Sequence, residues 1–225
     1  MKKVGFIGGC DKSDLIMYVA SILSKMQKKV LVLDATRLQK IKYIIPKIEP
    51  AASYITEFEK IDVAIGFRNI SNVEEYLGEK LKYDIVLIDI DTARAIKENY
   101  ITNVDLNYFV STFDMYSLKK GIEILGRFEQ PLNLTRILYD IEPNKEDEEY
   151  LNFLSLGKKV VWTDEIIYFL QENGDSRAIM NNQRLGKIKF SNMSSIFKEN
   201  IAYIVQQIDD GATTKQIKTI IKNSD

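Results

Sequence analysis

Apolar and polar positions alternate in blocks along the chain. "VGFI" (4–7) is a short apolar run that ends in two glycines. Leu15, Ile16, Val19, Ile22, Leu23 and Met26 then recur at spacings of three and four, which predicts a helix with one apolar stripe starting near Lys12. "KVLVLDA" (29–35) and "YDIVLIDID" (83–91) are nearly continuous apolar runs, as expected of parallel strands covered by helices on both faces. "IDVAIGF" (61–67), "DLNYFVST" (105–112), "NLTRILYD" (133–140) and "KKVVWTD" (158–164) read as further strands. Helices are expected from Ser71 with a Ser71–Glu74 capping box, from Met115 to Phe128, after Pro143-Asn144, from Ser194 to Ile208, and over 213–222. Glu146, Asp147 and Glu148 fall in the first turn after Asn144, where the helix dipole favours acids.

Strands separated by helices at this rhythm predict an α/β fold, doubly wound, with a mostly parallel sheet flanked by helices. Residues 1–212 read as one domain, followed by a short amphipathic segment, 213–225. In such a sheet, ligands bind beyond the carboxyl ends of the strands. Gly8 to Asp14, Asp34, and Asp89 to Asp91 all fall there.

Composition narrows the chemistry. A chain of 225 residues, 45% hydrophobic and 28% charged, matches an ordinary globular domain. Its formal charge of −1 gives no bias toward nucleic acid, and no dense arginine patch accompanies the scattered Tyr18, Tyr43 and Tyr54. Histidine is absent, so any catalysis must use Asp, Glu, Lys or a bound ion. Cys10 is the single cysteine, which excludes an internal disulfide and suits a reducing compartment. A helix N-terminus could lower its pKa, but without a histidine base a catalytic thiol is disfavoured. No apolar run is long enough to span a bilayer, and "MKK" lacks the apolar segment of a signal peptide. A cytoplasmic location is the expectation.

"VGFIGGCDKSDL" (4–15), "LVLDA" (31–35) and "YDIVLIDID" together resemble the ParA/MinD family of P-loop ATPases. The likeness extends to "DLNYFVSTFDMYSLKKGIEIL" (105–125). It also reaches "VVWTDEIIYFLQENG" (160–174), where Trp162-Thr163-Asp164 stands at the family's Pro-x-Asp turn. The family's loop runs Lys-Gly-Gly-x-Gly-Lys-[Ser/Thr]-[Ser/Thr]; this chain has Ile7, Gly8, Gly9, Cys10, Asp11, Lys12, Ser13 and Asp14. The resemblance thus keeps the glycines, the phosphate lysine and the magnesium-binding serine. It loses the lysine that crosses a dimer, replaced by Ile7, and the loop glycines at Phe6 and Asp11.

Asp11 and Asp14 set carboxylates beside any bound polyphosphate. At ~5 Å and an effective dielectric of ~20, each like-charge pair costs on the order of 3 kcal/mol. The resemblance assigns water activation to Asp34 and proximity to magnesium to Asp89; a metal would be held by Ser13 and Asp89 only with a bound Mg-nucleotide. The leading expectation is a noncatalytic pseudo-ATPase with no catalytic residue and no cofactor. It would be a localisation or assembly scaffold, like the atypical ATPases of Tad-type pilus systems, with protein partners and an ATP-independent dimer or a monomer. The alternatives are a divergent Mg-ATP-binding ATPase and a partition-type DNA-binding protein, the latter disfavoured by charge. The tail "TTKQIKTIIKNSD" (213–225) groups Ile217, Ile220 and Ile221 among lysines. It suits packing on its own domain or a partner, with weak membrane contact and a polar or peripheral location as the other expectation.

Overall fold

The computed structural model describes residues 1–48, 51–99, 101–139, 142, 144–170 and 172–224. Asp140, Pro143 and Asp225, which belong to elements expected from the sequence, lie outside these residues. The strands are β1 (Lys2–Ile7), β2 (Val30–Asp34), β3 (Tyr54–Phe58), β4 (Ile61–Ile65), β5 (Ile85–Ile90), β6 (Leu106–Thr112), β7 (Leu132–Tyr139) and β8 (Val160–Phe169). The helices are α1 (Ser13–Lys25), α2 (Ile70–Leu77), α3 (Ala93–Glu98), α4 (Met115–Leu125), α5 (Lys145–Ser155), α6 (Asn173–Leu185), α7 (Ser195–Ile208) and α8 (Thr214–Lys222).

The eight strands form one sheet in the order β3-β4-β2-β5-β1-β6-β7-β8, parallel throughout except for the β3–β4 hairpin. β2 and β5 are buried along their whole length, and Phe6 and Asp34 each pair in register with Asp89. Two apolar layers cover the sheet. Residues of α1, α6, α7 and α8 pack on one face, and residues of α2, α3, α4 and α5 on the other. The doubly wound α/β architecture expected from the hydrophobic runs is the one observed.

Several local expectations are corrected. The α2 cap is Asn69, whose side chain accepts from the Asn72 N–H. Glu74 instead takes Lys80 and the Leu81 N–H, so the Ser71–Glu74 box does not form. α4 stops at Leu125, and Phe128 lies beyond the turn that follows it. Trp162-Thr163-Asp164 lies inside β8, beside a register shift between Leu134 and Arg136, and is not a turn after the strand. β3, α3 and α6 have no counterpart in the expected series.

α8 joins the core. Ile217 is buried and Ile221 nearly so, within the same apolar layer as α1 and α7. The segment from 213 is therefore an amphipathic helix packed on its own domain, not a separate appendage. Among the described residues, no helix is long and apolar enough to cross a membrane.

Candidate functional site

β1 delivers the glycine loop to the carboxyl edge of the sheet, between β5 and β6. The Gly8 N–H donates to the Ile90 carbonyl at 3.0 Å. A Cβ on Gly8 would lie 1.9 Å from the Val110 carbonyl oxygen, and one on Gly9 would lie 2.9 Å from the Ser117 carbonyl oxygen. Both glycines are thus required by close approach of the loop to β6 and α4. Cys10 donates its thiol to the Val110 carbonyl at 3.3 Å. Burial pushes that thiol up to about 11, against a downward pull from Lys12, so the lone cysteine is held away from the reactive thiolate.

The first turn of α1 meets two carboxylates. Asp11 Oδ1 accepts the Ser13 N–H at 3.0 Å, and Asp11 Oδ2 pairs with Lys40 Nζ at 2.9 Å. Burial acts to raise the Asp11 carboxyl, but the Ser13 N–H and Lys40 outweigh it and hold the group below its ordinary range. An N–H at a helix start is where this architecture receives an anion; here it receives the chain's own carboxylate. Asp14 accepts two contacts from Gln183 Nε2, at 2.9 and 3.1 Å. Burial moves Asp14 upward, Gln183 opposes the shift, and neighbouring Asp11 adds to it.

The Lys12 ammonium is engaged within the protein. Its Nζ lies 2.7 Å from Asp89 Oδ1 and donates to the Gly8 carbonyl at 3.3 Å, with both side chains almost fully buried. Burial works against the Lys12 charge, and Asp89 more than restores it, so its pKa lies above the ordinary lysine value. Burial, helped by Asp34 and Asp91, raises Asp89 to about 7 against the downward pull of Lys12. Asp34 accepts the Thr36 N–H at 3.1 Å, the Thr36 hydroxyl at 2.5 Å and the Ile41 N–H at 3.2 Å. Those bonds oppose the upward push of burial on Asp34 without cancelling it. Asp91 accepts the Arg37 N–H at 3.0 Å.

Gly8, Gly9, Asp11, Lys12, Ser13, Asp14, Asp34 and Asp89 therefore do converge, at the carboxyl ends of β1, β2 and β5. Several of them are engaged with one another, Lys12 with Asp89 and Asp11 with the Ser13 N–H. Beside them lies a cleft of about 470 Å³, lined by Gly9, Asp11, Asp14, Lys40, Tyr116 and Phe197 among others. Lys40, Gln183 and Tyr116 were missed from the sequence. Lys40 follows a loop without periodicity, and Gln183 sits on a helix with little apolar signal. Asp114 signalled itself more clearly, as an acid directly before α4; it caps that helix through the Tyr116 and Ser117 N–H groups. The Ser117 and Thr112 side chains, with the Ser117 N–H, hold its carboxyl down at about 2. Among the described residues, no group of three or more Cys, Asp or Glu side chains is placed to hold a metal ion.

No family model matches the chain, and no curated protein matches its sequence. Solved structures do match over nearly the full length. The MinD cell division protein of Aquifex aeolicus is similar at a TM-score of 0.61 and 15% identity, covering 95% of this chain and 98% of its own. An ATP complex of McdA from Cyanothece gives 0.58 at 14% identity, covering 95% and 98%. A ParA family ATPase of Chlorobium tepidum TLS gives 0.55 at 12% identity, covering 100% and 99%. At these identities the likeness is one of fold: the chain has the α/β architecture of ParA/MinD ATPases, with an eight-stranded, mostly parallel sheet.

Proposed function

We propose that this chain is a noncatalytic, ParA/MinD-like pseudo-ATPase that positions other proteins as a localisation or assembly scaffold, for instance in a pilus or secretion system. One observation carries the reading: the Asp11 carboxylate occupies the Ser13 N–H that a phosphate would need. Two further features support it. Lys12, the residue that would reach the phosphates, is committed to Asp89 in the interior. Asp89, which with Ser13 would hold magnesium, is likewise engaged by Lys12. The residues present thus do not fit a triphosphate. A scaffold of this kind needs no cofactor, and Ile7 in place of the crossing lysine leaves any dimer independent of ATP.

A second reading, a divergent Mg-ATP-binding ATPase, is favoured by the convergence of Lys12, Ser13, Asp34 and Asp89 at adjacent strand ends. Calorimetric titration of Mg-ATP into the purified protein separates the two. The scaffold reading expects no binding or binding weaker than about 100 µM, roughly −5.5 kcal/mol. Submicromolar binding, or dimerisation in the ultracentrifuge only when ATP is added, sinks it.

A further inference from the structure

On the face covered by α7 and α8 lies a second concavity of about 350 Å³, bordered by Phe190, Ala202, Ile221, Lys198, Lys218 and Lys222. It shares no lining residue with the cleft beside the glycine loop. Phe190, Ala202 and Ile221 form its apolar floor and are themselves buried. Lysine stems extend that apolar lining and place their charges at the rim. Lys218 and Lys222 stand one helical turn apart on α8, and Lys198 faces the same space from α7. Among the described residues, no carboxylate forms an ion pair with any of these three lysines. Glu199 is the one acid among the described residues that line it, so the groove is net positive on a chain whose formal charge is −1.

We infer that this groove receives an acidic amphipathic helix of a protein partner, its apolar face on the floor and its carboxylates on Lys198, Lys218 and Lys222. A groove between two helices accepts a third helix by ridge-into-groove packing. The one-turn spacing of Lys218 and Lys222 matches carboxylates spaced by four residues on such a helix. A membrane surface fits less well. Binding to a bilayer interface requires apolar side chains that project outward, whereas Ile217 and Ile221 of α8 point into the protein's own core. The concavity receives an apolar side chain; it does not offer one.

The test is fluorescence anisotropy with a labelled synthetic helix carrying leucine on one face and glutamate on the other. Its lysine counterpart and phosphatidylglycerol vesicles serve as comparison probes. The glutamate helix is expected to bind, less tightly as salt rises, and the lysine helix is not. Lys218→Glu with Lys222→Glu is expected to weaken binding at least about tenfold while the melting curve stays in place. Lys218→Gln with Lys222→Gln, expected to weaken it about threefold, keeps the test readable if the reversal disturbs folding. No binding of the glutamate helix, equal binding of both helices, or full binding by the glutamine variant overturns the inference. Lysine-dependent vesicle binding without helix binding replaces it with a membrane contact. Because the two cavities share no residues, this titration and the Mg-ATP titration can fail independently.

Discussion

Lys12 Nζ lies 2.7 Å from Asp89 Oδ1 in the interior of the protein, with both side chains closed off from solvent. A buried ion pair of this kind contributes little net stability, yet removing one partner strands the other. The pair therefore ties the glycine loop to the end of β5, and it engages the lysine's charge inside the protein. On the proposed reading, the lysine of the loop pattern serves the structure and not a phosphate.

Lys12→Met tests that relationship through pH. Asp89 is already raised by burial, and Lys12 is the group that holds it down. A carboxyl whose folded value exceeds its unfolded value gives stability in full below the unfolded value, near 4, and loses it as pH rises through the folded value. Without Lys12 the folded value moves above the present value of about 7, so the loss continues to higher pH. The variant is expected to cost about 3 kcal/mol at pH 9 and clearly less at pH 6. Urea melts at the two pH values check this; Lys12→Met with Asp89→Asn should lose the pH dependence.

Asp11→Gly with Asp14→Thr probes the carboxylates. The double change frees the Ser13 N–H and removes two charges from the loop. Mg-ATP affinity is expected to rise at least about tenfold, since each like-charge contact is worth on the order of 3 kcal/mol. If calorimetry detects no gain, the Lys12–Asp89 pair, not the carboxylates, is what excludes the nucleotide.

Gly8→Ala is expected to be severe for a reason unrelated to nucleotide. The added Cβ meets a backbone oxygen, Val110, at 1.9 Å, so neither side can yield by changing rotamer. A loss of about 2–3 kcal/mol is expected from overpacking. Gly174→Ala is the control: its Cβ has no contact closer than 3.9 Å, and the position is helical. That change should raise stability by about 0.5 kcal/mol. Thermal melts that rank the two variants the other way would refute the close-approach account.

Ile217→Ala addresses α8. The side chain is fully buried in the layer shared with α1 and α7. Its truncation is expected to cost about 2–4 kcal/mol, a drop in melting temperature of about 5–12 °C for a domain of this size. A drop of less than about 2 °C would mean that α8 is a detachable handle and does not belong to the core.

Much of the fold was legible because a buried parallel strand must be apolar on both faces. "VLVLD" (30–34) and "IVLIDI" (85–90) have that property, and an acid at the end of each places Asp34 and Asp89 at the carboxyl edge. The sequence by itself thus determined the strand-helix rhythm, the doubly wound sheet, and the meeting point of the glycine loop with those acids. β3 escaped notice because its hairpin turns on Glu59 and Lys60, both with positive φ (51° and 64°), where glycine or asparagine is the usual signal. α6 escaped because its composition is mostly polar, leaving few apolar residues to mark it. What only the tertiary structure decided is which charge meets which. Lys12 pairs with Asp89, Lys40 reaches Asp11 from 29 residues away, and Gln183 reaches Asp14 from 169 residues away. Periodicity reports a residue's local face, but ion-pair partners depend on which distant elements the packing brings within a few ångströms.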